Sequence, residues 1–119
     1  EKRLFNQTYF VVDTRTNAAE EIAPRTVFDT DGHPGVCPAD PAVFVSDTYP
    51  RKDNMRELFL YNLEKKEKRN LGFFYSAPEQ AGQSWSCDLH PRWDRSGKMV
   101  CIDTMHSGHR QMMVIAPEP

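Results

Sequence analysis

Apolar residues along this chain come in short runs, and almost none of the runs carries a helical period. The clearest span residues 8–13, 43–48, 56–62, 98–104 and 110–115, each rich in β-branched or aromatic residues and bounded by Gly, Pro, Asp, Asn or Ser. Runs of this kind form strands that fit a pleated, half-buried surface. The stretch with most helix-forming content, residues 55–70, breaks in two. Glu57-Leu58-Phe59-Leu60-Tyr61 is an apolar run, and Leu63-Glu64-Lys65-Lys66-Glu67-Lys68 is polar punctuation, so strand, turn, strand is expected there. Nine prolines and six glycines spread along the chain supply many turns. The predicted class is all-β, with 43–48 antiparallel to 56–62 and 98–104 antiparallel to 110–115.

The pattern also repeats. His33-Pro34 lies beside His90-Pro91 at an offset of 57, Asp47-Thr48 beside Asp103-Thr104 at 56, and Arg56 beside Arg110 at 54. Offsets that shrink in steps place deletions in turns, where repeats tolerate them. Val12-Asp13 through Glu21-Ile22 lies beside Tyr61-Asn62 through Asn70-Leu71 at a constant 49. Each unit reads as four strands over roughly 40–50 residues, the signature of a β-propeller blade, a four-stranded antiparallel sheet. The division expected is a half-blade at 4–23, a full blade at 33–71 and a three-stranded last blade at 88–115, with 71–87 a longer loop carrying Phe73, Phe74, Tyr75 and Trp85. So few blades cannot close a ring, so the reading is the C-terminal part of a larger propeller, with the missing blades of that parent as partners. Residues 116–119 are too short and too proline-rich to supply an outermost strand to the last blade.

Composition narrows the function. The 119 residues are 39% hydrophobic and 27% charged, which argues against a disordered chain. Fifteen Lys and Arg against seventeen Asp and Glu give a net charge of −2, and no basic stripe exists, which argues against nucleic acid. No apolar run is long enough to cross a bilayer, so no membrane partner is expected. The sequence begins at Glu1 without a charged-then-apolar leader, so a signal peptide is expected to be absent or removed. Cys37, Cys87 and Cys101 lack CxxC spacing and read as core residues, which leaves cytoplasm and periplasm both open. Neither a GxSxG nor an HExxH motif nor a Gly-rich phosphate loop is present.

His33 with Pro38-Ala39-Asp40, and His90-Pro91 with Asp94-Arg95-Ser96-Gly97-Lys98, resemble degenerate copies of the H-P-x-F/W-S-P-D-G-K/R strand-and-turn signature. That signature is similar to the one in periplasmic WD-like β-propellers, and within them to the oligogalacturonate lyase type, over about 8–115. The resemblance implies a seven-bladed propeller that cleaves acidic pectic oligosaccharides by β-elimination, with a Mn-like divalent metal held by histidines of the last blades. His33 and His90 match two of those ligands. Asp88 stands where the family has a third histidine, and Gln83 is near the family's glutamine but out of register. A carboxylate in that place suits Mn, Ca or Mg. The implied metal set is His33, Asp88 and His90, and the family's catalytic base belongs to earlier blades that this sequence lacks.

Two further expectations follow from residue chemistry. First strands of successive blades line one channel, so these three side chains should converge within about 5 Å of one another at its rim. The alternative stays open that both histidines brace one blade on the next, with Asp88 capping a turn, in a non-catalytic binding or scaffold propeller. Asp47 and Asp103 read as turn-forming, Arg56 and Arg110 as ion-pairing residues, and His106 and His109 as solvated turn residues.

Overall fold

The computed structural model describes residues 8–22, 28, 30–78 and 86–118. The chain divides into two compact units, Glu1–Asp31 and Gly32–Pro119. All regular structure among the described residues is antiparallel β, and no α-helix occurs there.

The first unit holds one hairpin, β1 (Phe10–Asp13) paired with β2 (Ala18–Glu21). Its turn is closed by Asn17 N–H donating to the Asp13 carbonyl at 2.7 Å, with Asn17 in the left-handed region at φ 58°. Asp13 Oδ1 accepts the Arg15 N–H at 2.8 Å, and this bond holds the Asp13 carboxyl below its ordinary range.

The second unit is two meandering sheets. The first runs in order β3 (Gly35–Cys37), β4 (Asp40–Asp47), β5 (Met55–Asn62) and β6 (Glu67–Tyr75). The second runs β7 (Arg92–Trp93), β8 (Val100–Thr104) and β9 (Gln111–Ile115). Both predicted hairpins are present, with Val43 opposite Asn62 and Asp47 opposite Leu58 in one, and Asp103 opposite Met112 in the other. Residues 116–118 form no strand.

The turns carry the repeat into three dimensions. In the β5–β6 turn Asn62 Oδ1 accepts the N–H groups of Glu64 and Lys65, and Lys66 has φ 55°. Asn62 and Lys66 stand 49 residues after Asp13 and Asn17, which do the same work in β1–β2. A short polar side chain that caps its own turn, followed by one left-handed residue, is what this hairpin geometry requires.

One expectation fails. Residues 71–75 belong to β6 and not to a loop, and Phe74 is buried in the core. The cause is a bulge: Leu58 pairs with Gly72 and Phe59 with Asn70, which leaves Leu71 unpaired. The extra residue shifts the alternation of faces, so the sequence loses its period of two while the strand continues. Trp85 lies outside the described residues.

The core lies between the two sheets. Val45, Leu58 and Phe74 from the first meet Val100 and Ile102 from the second, with Leu89 beside them and Met113 and Ile115 packed against the cluster. Trp93 Nε1–H donates to the Gly35 carbonyl at 3.0 Å and ties β7 to β3. Met112, on the opposite face of β9, is 70% exposed, so only half of the Met112-Met113 pair is core.

The Asp94 turn between β7 and β8 is held by its carboxylate. Ser96 Oγ donates to Asp94 Oδ2 at 2.5 Å, and the N–H groups of Lys98 and Met99 both donate to Oδ1 at 2.9 Å. The Ser96 bond first, then the Met99 and Lys98 N–H bonds, hold Asp94 down at about 2. Because the folded value lies below the unfolded one, the stability this turn contributes is complete above about pH 4 and is lost as pH falls through 2. Asp94→Asn should therefore flatten the acid limb of the pH–stability profile between about pH 4 and 2 and leave its slope near neutrality unchanged. Urea melts at stepped pH measure this, and an unchanged acid limb would refute it.

Candidate metal centre

The meander sets β3, the end of β4 and the start of β7 side by side at one end of the strands. His33 precedes β3 by two residues and His90 precedes β7 by two, while Asp47 ends β4. Both histidines thus sit just before the strands on which they were expected. Asp88 and His90 do not share a strand face through simple alternation, because residues 86–91 are not strand and His90 has φ 42°. A histidine in the left-handed region is held there at a cost of about 1–2 kcal/mol.

His33, Asp88 and His90 nevertheless come together. One ligand atom from each lies within 4.8 Å of the others. The two imidazole rings stack with centroids 3.9 Å apart and planes 24° from parallel. Asp88 Oδ2 is 3.5 Å from His90 Nε2, and its Oδ1 is 2.8 Å from Arg56 NH1. Two imidazoles and a carboxylate suit a first-row divalent ion, so the donor set fits the metal that the resemblance implies.

Asp47 is the residue beside this cluster that sequence reasoning misplaced. It does not form a turn. It is 1% exposed, and its carboxylate gathers three donors. Oδ1 accepts the His33 N–H at 2.8 Å and lies 3.0 Å from His33 Nδ1, and Oδ2 accepts the His90 N–H at 3.3 Å. The signal was its recurrence as Asp103, one residue before the end of β8, at an offset of 56 close to the 57 of the histidines. Asp103 is not turn-forming either. It pairs with Met112 in the sheet and receives two hydrogen bonds from Arg92, at 3.1 and 3.2 Å.

Arg56 has the ion-pairing role expected of it. The residue is 4% exposed, and its guanidinium donates from Nε to Ser76 Oγ at 3.2 Å and places NH1 against Asp88. NH1 has no aligned hydrogen bond, so that contact is Coulombic. Arg110 donates to the Ser86 carbonyl at 3.1 Å. His106 and His109 lie in the turn before β9, where the His106 Nδ1 meets Thr104 Oγ1 at 2.9 Å. Gln83 lies outside the described residues.

The three ligand-type residues line a cleft of about 920 Å³ that Arg92, Asp103 and Arg110 also border. Cys87 reaches the same cleft, but burial pushes its thiol up, so it is a neutral thiol and a poor nucleophile near pH 7. The arrangement offers imidazole nitrogens and a carboxylate oxygen for a cation within one open cleft, whose bordering Arg92 is paired with Asp103. Compared with known protein families, with curated proteins and with solved structures, the chain finds no match in any of the three.

Proposed function

We propose that this chain is the metal-bearing corner of a β-propeller that acts on acidic oligosaccharides, in the manner of the oligogalacturonate lyases that its sequence resembles. The observation that carries the reading is the convergence of His33, Asp88 and His90 within 4.8 Å in a cleft bordered by Arg92 and Arg110. A divalent ion bound there would neutralise a uronate carboxylate and acidify the neighbouring C5 proton. Removal of that proton by a base forms the C4=C5 double bond as the C4–O bond breaks, and the departing oxygen takes up a proton. In the family that the sequence resembles, the base comes from earlier blades. Arg92 and Arg110 border the cleft with positive charge, with both N–H arms of Arg92 held by Asp103.

The blade arrangement is supported by how faces are used. The face of the first sheet that carries Val45 and Leu58 packs on the second sheet, and the corresponding face of the second sheet carries Cys101, Met112 and Val114. Met112 and Val114 are exposed, as expected where a further sheet would stack in the same way.

The test is a calorimetric titration of the chain with Mn²⁺, repeated with a uronate trimer added after the ion. One ion per chain is expected, with trimer binding that depends on it. His33→Ala and His90→Gly should each weaken ion binding by more than the roughly 10–100-fold brought by outer-sphere changes. The glycine variant relieves the left-handed strain of about 1–2 kcal/mol and loses roughly 0.5–1 kcal/mol to chain entropy, so its stability should stay within about 1 kcal/mol of the parent. Absence of Mn²⁺ binding, with His90→Gly strongly destabilised, would leave the histidines as braces between blades in a non-catalytic propeller.

A further inference from the structure

We infer that Asp47 is the positioning residue of this centre: it fixes the His33 tautomer and sets the spacing of the two histidine backbones. The inference rests on the metal reading for its purpose, and on the hydrogen bonds for its geometry.

A carboxylate only accepts, so a His33 Nδ1 lying 3.0 and 3.2 Å from the two Asp47 oxygens must carry the ring proton. A neutral imidazole has one N–H, and the lone pair is therefore left on Nε2. With Nδ1 occupied, Nε2 is the one nitrogen of His33 able to ligate a cation. Metal-bound histidines are characteristically held in this way, by a carboxylate on the far ring nitrogen. Asp47 is 1% exposed, while the His33 ring is 29% exposed, so the anchor is inside and the ligand faces the cleft.

The same carboxylate reaches both repeats. It accepts the N–H of His33 on one oxygen and that of His90, 57 residues further on, on the other. One side chain at the end of β4 thereby joins the chain before β3 to the chain before β7. The ligands come from the segments that lead into two different sheets, and a shared acceptor is what keeps them at fixed separation. Asp103, the repeat counterpart, is turned to Arg92 instead, so this pattern belongs to Asp47 among the described residues.

An asparagine at 47 keeps the shape but has one acceptor oxygen for three donors. Either the His90 N–H faces an amide N–H₂, or His33 Nδ1 does and the ring must move its proton to Nε2. Both outcomes degrade the site.

The experiment has two independent readouts on the same protein. Long-range ¹H–¹⁵N correlation of the metal-free chain, recorded over a series of pH values, reports the proton on each His33 ring nitrogen directly. Nδ1–H with a lone pair on Nε2 is expected, and Nε2–H would overturn the inference without any variant having to fold. Titration with Co²⁺, followed by its visible spectrum, should then show Asp47→Asn weakened by about 10–100-fold, with the spectrum altered. An Asp47→Asn chain that binds Co²⁺ like the parent would also overturn it. If the parent binds no Co²⁺, the metal reading falls, and the tautomer measurement still decides whether Asp47 orients His33.

Discussion

Gly97→Ala should destabilise the second unit by about 2–5 kcal/mol, a large effect for the addition of one methyl group. Gly97 has φ +71°, where a side chain is strained by about 1–2 kcal/mol. A Cβ there would also lie 2.7 Å from Ala39 Cβ, 2.8 Å from Cys37 Sγ and 2.9 Å from the Ala39 nitrogen. Two of those atoms are main chain or one bond from it, so nothing flexible can yield, and overpacking adds about 1–3 kcal/mol. The contact joins the β7–β8 turn to the β3–β4 turn, at the end of the sheets remote from the histidines. Gly108→Ala is the control. Its φ is +97°, but no atom lies within 4 Å of the added carbon, so only the backbone term applies. Urea denaturation should show the Gly97 midpoint falling well below that of Gly108→Ala at equal slope. Equal losses would mean that the two sheets do not rely on this close approach.

That contact shows why part of the fold was legible in the sequence and part was not. The paired strands 43–48 with 56–62 and 98–104 with 110–115 were readable because alternation and turn residues are local properties, and β4–β5 and β8–β9 formed there within a few residues. The continuation of β6 through Phe73-Phe74-Tyr75 was not readable, since the bulge at Leu71 hides the period. At the site, the repeat marked His33 and His90, and the three ligand-type residues do approach one another. Asp47 was underrated because an aspartate before a threonine looks like a turn in one dimension. Its role depends on a hydrogen bond to His90, 43 residues away, which no local pattern reports. Likewise Arg56 and Arg110 were marked as ion-pairing by recurrence alone. Which carboxylate Arg56 meets was decided by the packing of β5 against the segment before β7.

That partnership gives the second large effect, in which stability and ion affinity should move in opposite directions. Arg56→Met removes the guanidinium of a residue that is 4% exposed, a group 2.8 Å from Asp88 Oδ1 and hydrogen-bonded to Ser76. Breaking a fully buried ion pair costs about 3–5 kcal/mol; Asp88 keeps 26% of its side-chain exposure, so a loss of about 2–4 kcal/mol is expected. Methionine refills the aliphatic volume, which confines the loss to charge and hydrogen bonding. The same guanidinium neutralises the carboxylate that a cation would need. A fixed positive charge a few ångströms from a dication is repelled by a few kcal/mol at intermediate dielectric, and water and salt screen much of this. About tenfold tighter Mn²⁺ binding is therefore expected in Arg56→Met, with a thermal midpoint several degrees lower in the absence of the ion. Added Mn²⁺ should recover part of that midpoint, because an ion that binds the folded chain stabilises it by mass action. Weaker Mn²⁺ binding in the variant would reverse the assignment: Arg56 would then serve chiefly to hold Asp88 in its ligating position, and its charge would be incidental.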